Sequence, residues 1–544
     1  MNRKRINIYL PLLIAVSVIA GIFLGNTLSS TRGPSLQNIA PSPTNKLSTI
    51  IDLIGNAYVD SVSTDKLVNE AIPDLLKNLD PHTTYIPARQ MEEVNDEMQG
   101  NFGGIGVQFS IYKDTVQVVD VISGGPSYKL GLQPGDRIVT VNDSVIAGVG
   151  IKSKDVMNLL RGEKGTKVKV GIKRRTVKDL IDYDITRGDI PIYSVDVSYM
   201  IDSVTGFVKV SRFAETTYDE FVKALTKLNT DGAKSIIVDL RGNPGGYLMA
   251  VVKMVNEFLP AGKMIVYTQG HSQPKKTYTS TKSGICLDKQ IIVLIDEYSA
   301  SASEIFSGAI QDNDRGLIVG RRSFGKGLVQ EQIPFRDGSA LRLTVARYYT
   351  PSGRCIQKPY DEGTTDYYHD IMNRVKHGEL EVADSIHFAD SLQYHTTNGR
   401  LVYGGGGIMP DYFVPADTSG YSDYYSSITQ KALIYHFAFQ YSDEHREKLS
   451  ELTTASTFDT YLDKQHILDQ FVKYAAEKGV KKDSKGLKIS GKIIDAQVKA
   501  YIARNIIGED GFYPIIQKID KTLNKAIQLS KSKKEINQLL AVTK

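Results

Sequence analysis

Residues 291–310, IIVLIDEYSASASEIFSGAI, pass from one periodicity to another within twenty positions. Ile291 to Ile295 form an unbroken apolar run, the pattern of a strand covered on both faces. Ile305, Phe306, Ala309 and Ile310 then recur at helical spacing. A doubly covered strand that leads straight into a helix is the repeating unit of a mainly parallel α/β sheet. At the junction, Ser301-Ala-Ser-Glu304 fits a capping box, with Ser301 as the cap and Glu304 reaching back. The same geometry turns a serine hydroxyl toward the end of the sheet. It also leaves the Ala302 amide facing any oxyanion formed there, at the positive end of the helix. Cap and nucleophile are therefore compatible readings of Ser301.

Working outward, Phe207–Val210, Ile236–Leu240, Ile265–Tyr267 and Leu317–Val319 are further short apolar runs, separated by amphipathic stretches such as Phe221, Leu225 and Leu228. This rhythm extends the α/β expectation over residues 190–350. A serine nucleophile needs a base. None of the nine histidines lies in a recognisable catalytic motif and no Gly-x-Ser-x-Gly elbow occurs, so the candidate is Lys326 in SFGKGLVQ (323–330). A lysine acts as a base only when neutral, and bringing its pKa from about 10.4 to near 7 takes about 4 kcal/mol of desolvation. Gly325 and Gly327 allow close backbone approach, and Gln330 can orient the amine without adding charge. The same loop resembles a phosphate-cradling P-loop. However, Gly327 stands where that motif needs Ser or Thr, and LVQEQIPF reads as strand rather than helix. The third feature is DLRGNPGG (239–246), a turn at a strand end whose glycine amides, at Gly245 and Gly246, are candidates for a second oxyanion donor.

Toward the N-terminus, NFGGIGV (101–107) opens a strand-rich module at 100–186. Consecutive amides in such a loop can hold a free carboxylate while the strand behind pairs with an extended peptide. Residues 45–99 carry helical spacing interrupted at Asp80-Pro81-His82, and residues 29–44 (SSTRGPSLQNIAPSPT) read as a tether. Ile8–Gly25 is uncharged over 18 positions and follows Arg3, Lys4 and Arg5. This predicts an export segment within 1–28, either an uncleaved anchor, which is favoured, or a cleaved signal, with the remainder extracytoplasmic. On the other side of the core, residues 360–400 are polar and Tyr-rich, an expected insertion in a domain spanning 190–415, and 416–544 return to Lys-rich helical spacing.

Composition narrows the classes. Across 544 residues, 41% hydrophobic and 23% charged describe a globular chain, and a net charge of +5 without clustering argues against nucleic acid as the main partner. Two cysteines, Cys286 and Cys355, exclude a disulfide framework or a Cys-based zinc site and leave one bridge or two thiols as alternatives. No His/Asp/Glu cluster has metal-binding spacing, so neither metal nor other cofactor is expected.

Taken in order, LDPHTTY (79–85), FGGIGVQF (102–109), GLQPGDRI (131–138), LRGNPGG (240–246), SASASEI (299–305), SFGKGLVQ (323–330), TPSGR (350–354) and GGGGIMPD (404–411) resemble the carboxy-terminal processing, or tail-specific, proteases over about residues 45–415. The resemblance implies a multidomain α/β protein: a ClpP/crotonase-like core, an inserted PDZ-like domain, an N-terminal helical region and a C-terminal helical extension. It implies Ser301 as nucleophile, Lys326 as base and Gln330 as its partner. It further implies oxyanion donors from Ala302 and from Gly245 or Gly246, and a peptide-carboxylate loop at Phe102, Gly103, Gly104, Ile105 and Gly106. The expected activity is a serine endopeptidase that captures the C-terminus of polypeptide substrates. Its expected location is the bacterial cell envelope, on the periplasmic side of the inner membrane, anchored through residues 8–25. The rival reading is a catalytically silent PDZ scaffold. The helical regions are open to homo-oligomerisation or adaptor docking.

Overall fold

The computed structural model describes residues 15, 17–21, 46–122, 124–175, 177–281, 284–361 and 363–541. Most of the apolar segment 8–25 lies outside the described residues, and among those described no helix is long and apolar enough to cross a membrane. Two compact units are present, Met1–Leu75 and Leu76–Lys544. The first carries the helix Lys46–Ala57 and most of the helix Thr64–Leu76.

In the second unit, a six-stranded sheet runs in the order Val195–Met200, Thr205–Val210, Ser235–Asp239, Gln290–Ile295, Leu317–Gly320, Tyr412–Phe413. The first pair is antiparallel and every later pair parallel. Alternation along Gln290–Ile295 shows why these strands are apolar throughout. Ile291, Val293 and Ile295 enter one core with Phe221, Leu225, Val251, Val255, Phe306 and Ile310 from the helices Thr217–Thr230, Leu248–Asn256 and Ala302–Asp312. Ile292 and Leu294 enter another with Leu523, Ala526, Leu529 and Ile536 from Lys521–Ser530 and Lys533–Leu539. The end of the helical tail is therefore the second cover of this sheet.

One apolar run departs from expectation. Ile265–Tyr267 belongs to Met264–Gln269, which pairs antiparallel with Lys276–Thr279 and with Ala340–Tyr349 in a second sheet. That sheet also contains Leu328–Pro334, which forms a hairpin with Ala340–Tyr349 bulged between Val329 and Gln330, and Thr84–Ile86 at the far edge. An apolar run of three residues carries no information on which sheet takes it.

The strand-rich module folds around its own core of Val116, Val118, Ile138, Val156, Val168, Val170 and Ile185. Its sheet is antiparallel throughout, with the helix Ser153–Leu160 packed beside it. The helical tail builds a further core from Leu433–Glu444, Ile467–Glu477 and Ser484–Ile507. It meets the strand-rich module through Arg137–Asp443 (3.0 Å) and the Tyr112 and His436 rings. Cys286 and Cys355 are separate free thiols, so the bridge alternative falls away.

Candidate active site

Ser301 is the cap of the helix Ala302–Asp312 and holds φ 54°, ψ −111°, a conformation that costs a non-glycine residue energy and persists only where its surroundings over-determine it. Those surroundings explain the alternating serines. Ser299 Oγ donates to the Leu240 carbonyl (2.9 Å) and Ser303 Oγ to the Asn243 carbonyl (2.9 Å), while Ala300 N–H also reaches Asn243 O (3.0 Å). Three ties bind the serine turn to the 240–246 loop.

That loop approaches closely. A Cβ on Gly245 would lie 2.7 Å from Ser301 Cβ and 2.9 Å from the Ala302 nitrogen, and Gly245 adopts φ 103°. Its amide, however, donates to Asn243 Oδ1 (2.9 Å), which removes Gly245 as the second oxyanion donor and corrects that expectation. Gly246 makes a parallel bridge with Phe213, in which the bonds run from Phe213 N–H to Gly245 O and from Tyr247 N–H to Phe213 O. The bridge thus leaves the amide of Gly246 itself out. Neither Gly246 N–H nor Ala302 N–H has an acceptor among the described residues.

A cleft of about 340 Å³ is lined by Ser301, Gly246, Lys326, Gln330, Tyr348 and Met98. Glu304 organises its floor. Fully buried, its carboxylate accepts from Ser301 N–H (2.8 Å), Lys326 N–H (2.9 Å), Gly325 N–H (2.7 Å) and Ser323 Oγ (2.5 Å). Burial pushes Glu304 up to about 7 against the pull of those donors. One side chain thus clasps the serine turn to the lysine loop, a reach well beyond a helix cap. Tyr348 adds a second clasp, donating to Lys326 O (2.5 Å) with Ser301 O at 3.1 Å.

Lys326 needs its glycines. A Cβ on Gly327 would meet the Gln357 nitrogen at 2.8 Å, and one on Gly325 would meet Lys358 Cβ at 3.1 Å. Burial first, and then the Arg342 guanidinium, bring the Lys326 ammonium down to about 8, against the opposing pull of Glu304 and Asp80. The chain that follows is the strand Leu328–Pro334, so the loop-then-helix geometry of a phosphate cradle is not formed. Gln330 Nε2 donates to Thr344 Oγ1 (3.3 Å).

Three features here were not assigned by sequence reasoning. The 360–400 segment contributes the helix Thr364–Lys376, whose buried Arg374 donates to the Ser323 carbonyl (2.7 Å) and the Phe324 carbonyl (3.0 Å), gripping the lysine loop from outside. Asp80 and Thr83 of LDPHTTY sit against Thr344. His82 Nε2 meets Tyr367 OH (2.8 Å), and burial, reinforced by Lys326, lowers its pKa to about 3. Only the motif's presence in the ordered resemblance hinted at such a role.

A separate groove of about 350 Å³ is lined by Phe102, Gly104, Ile105, Gly106 and Val107 on one side and by Met157, Leu160 and Arg161 on the other. Gly106 takes φ 78°, and the Arg161 guanidinium lies 4.3 Å from the centre of the Phe102 ring. Of the five expected loop residues Gly103 is not part of this lining, and its carbonyl accepts from Gly162 N–H (3.1 Å).

Comparison with known proteins bears on both sites. Residues 204–367 match peptidase family S41, residues 103–185 a PDZ domain, and residues 424–508 a family of unknown function. The carboxy-terminal-processing protease of Bartonella bacilliformis is 35% identical over 347 residues, covering 62% of this chain and 79% of that protein. The carboxy-terminal processing protease CtpA of Bacillus subtilis is 33% identical over 360 residues, covering 65% and 76%. A probable CtpA-like serine protease of Staphylococcus aureus is 33% identical over 343 residues, covering 63% and 67%. This chain belongs to peptidase family S41: it is a serine-type peptidase of the carboxy-terminal processing family, carrying a PDZ domain.

Proposed function

We propose that this peptidase cleaves its substrates with a Ser301–Lys326 dyad and takes them by their C-terminal end. The observation that carries the reading is the cleft shared by Ser301, Lys326, Gln330 and Gly246, in which burial has already brought the lysine to about 8. Neutral Lys326 Nζ takes the Ser301 Oγ proton as Oγ bonds to the scissile carbonyl carbon. The oxyanion that forms accepts from Ala302 N–H and Gly246 N–H. Collapse breaks the C–N bond, the Lys326 ammonium returns its proton to the leaving amine, and the acyl group stays on Ser301. Water then adds to the acyl carbon, giving a proton to Lys326, and the second collapse releases the new C-terminus and returns that proton to Ser301. No metal or nucleotide enters.

The remaining parts of the proposal rest on separate observations. The open, mainly parallel sheet with helices on both faces supports a ClpP/crotonase-type core. The groove at Phe102–Gly106 supports capture of a free carboxylate beside an added peptide strand. The uncharged run 8–25 after Arg3, Lys4 and Arg5 supports anchoring on the periplasmic side of a bacterial inner membrane.

The test is turnover of an unfolded polypeptide by the full chain, by Ser301→Ala and by Lys326→Ala, across pH 6 to 9. Both variants are expected to be inactive. The wild-type acylation rate should climb nearly tenfold per pH unit and level off above about 8. Equal cleavage by all three proteins, or a flat profile, refutes the dyad. Amidating the substrate's C-terminus should raise KM and leave kcat in place; an unchanged KM refutes capture by the carboxylate.

A further inference from the structure

We propose that Asp80 is a positioning residue for the base: acting through Thr344, it sets which end of the Gln330 amide faces Lys326. This inference rests on the Ser301–Lys326 reading above. Its argument is one of hydrogen-bond direction. A carboxylate has no proton to give. Asp80, 8% exposed, accepts at Oδ1 from His82 N–H (2.8 Å), Thr83 N–H (2.9 Å) and the Thr344 hydroxyl (3.1 Å), and at Oδ2 from the Thr83 hydroxyl (2.5 Å). Thr83 Oγ1 in turn accepts from Thr344 N–H (3.1 Å), which pins the backbone at that point.

The single Thr344 hydroxyl proton is therefore committed to Asp80. Toward Gln330 the same oxygen can only accept, so the contact at 3.3 Å is made by the Gln330 NH2 group. The two ends of an amide point apart. With Nε2 turned to Thr344, the end left for the cleft, where Lys326 stands, is the carbonyl Oε1.

That direction matters to the chemistry. In that orientation Oε1 is the end able to accept one N–H of the neutral amine, which leaves the nitrogen lone pair for the Ser301 proton. A flipped amide would present NH2 instead, donate to the lone pair and block the base. Oε1 also favours the ammonium form, whereas NH2 favours the neutral amine.

The experiment follows turnover of an unfolded polypeptide by the full chain from pH 6 to 9. Thr344→Val removes the hydroxyl at nearly constant shape. It is expected to lower the plateau rate about tenfold and to move the rising limb to lower pH. Damage to folding alone would lower the plateau without moving the limb. The other charged and titratable groups around Lys326 are Glu304 from the helix, Arg342 and Tyr348 from the hairpin strand, and Asp80 and His82 from the loop. The substitution leaves each of these residues in place and takes from Asp80 only the Thr344 hydroxyl donor. Thr344→Ser, which keeps the hydroxyl, should restore both plateau and limb. Adding Asp80→Asn to Thr344→Val should lower the plateau no further, because the two act in series. A Thr344→Val enzyme with wild-type plateau and limb overturns the proposal. So does failure of Thr344→Ser to recover, or a further plateau loss in the double variant. If Lys326→Ala keeps a wild-type limb, it is the dyad that fails instead.

Discussion

Replacing Lys326 by methionine should abolish turnover and stabilise the protein, and the size of the gain follows from the site. A lysine brought from 10.5 to about 8 destabilises the folded state at neutral pH by roughly 3 kcal/mol, taking about 1.4 kcal/mol per pH unit. Because the folded pKa is the lower one, the unfolded chain binds more protons between pH 8 and 10.5, so stability rises with pH across that window. Below pH 8 the penalty is complete, and above 10.5 it is gone. Methionine is uncharged and of similar length, so it removes the penalty at every pH. The gain is therefore expected to be largest near pH 7, with about 3 kcal/mol as its ceiling, and to shrink to nothing above pH 10.5. Loss of the ammonium also deprives buried Glu304 of a nearby cation, which works against the gain. The measurement compares thermal unfolding of Ser301→Ala with that of Ser301→Ala/Lys326→Met, so that neither protein digests itself, at pH 6.5 and pH 10. Equal melting temperatures at pH 6.5, or a deficit there in the methionine variant, would refute the premise that Lys326 is held at an energetic cost.

Three further outcomes are expected. Gly246→Ala would drive a methyl into the Phe213 carbonyl oxygen and displace the Gly246 amide from the cleft; kcat should fall at least 100-fold, the scale of a lost oxyanion donor, and the clash should also lower the melting temperature. Glu304→Gln turns an NH2 group toward donors that now find an acceptor, which should cost about 3 kcal/mol in unfolding experiments along with activity; a wild-type melting curve would contradict the clasp. Asp520→Ala removes the carboxylate that meets Arg241 (2.6 Å) at the base of the 240–246 loop, from a helix of the C-terminal tail. A loss of about 2 kcal/mol with a several-fold lower kcat and an unchanged KM is expected, measured by melting and steady-state kinetics.

How far the sequence could be read depends on how local each determinant is. The strand–serine–helix unit was legible because a change of period, a cap pattern and a β-branched run all lie within 291–310. The close packing of the backbone around Lys326 was legible because its glycines flank it directly, and their contacts with Gln357 and Lys358 show why a larger residue does not fit at either position. The choice between Gly245 and Gly246 was not legible. Both are glycines at positive φ, and only the bridge to Phe213 and the bond to Asn243 Oδ1 decide which amide is free. The ties made by the serines at 299 and 303 left no local signal, because their partners, the Leu240 and Asn243 carbonyls, lie some sixty positions away. Asp80 is the extreme case: it meets Thr344 across 264 positions, and the turn chemistry of Asp-Pro fully accounts for it when read alone. The same holds for Arg374, whose carbonyl partners at 323 and 324 are backbone atoms with no signature in sequence. The pattern has a physical reason. A nucleophile and its base are specified by side-chain chemistry, which sequence displays. Their alignment is specified by backbone carbonyls and by the direction of hydrogen bonds between distant loops. Arg374 lies outside every motif of the resemblance, so a substitution there is expected to loosen the lysine loop while those motifs stay intact.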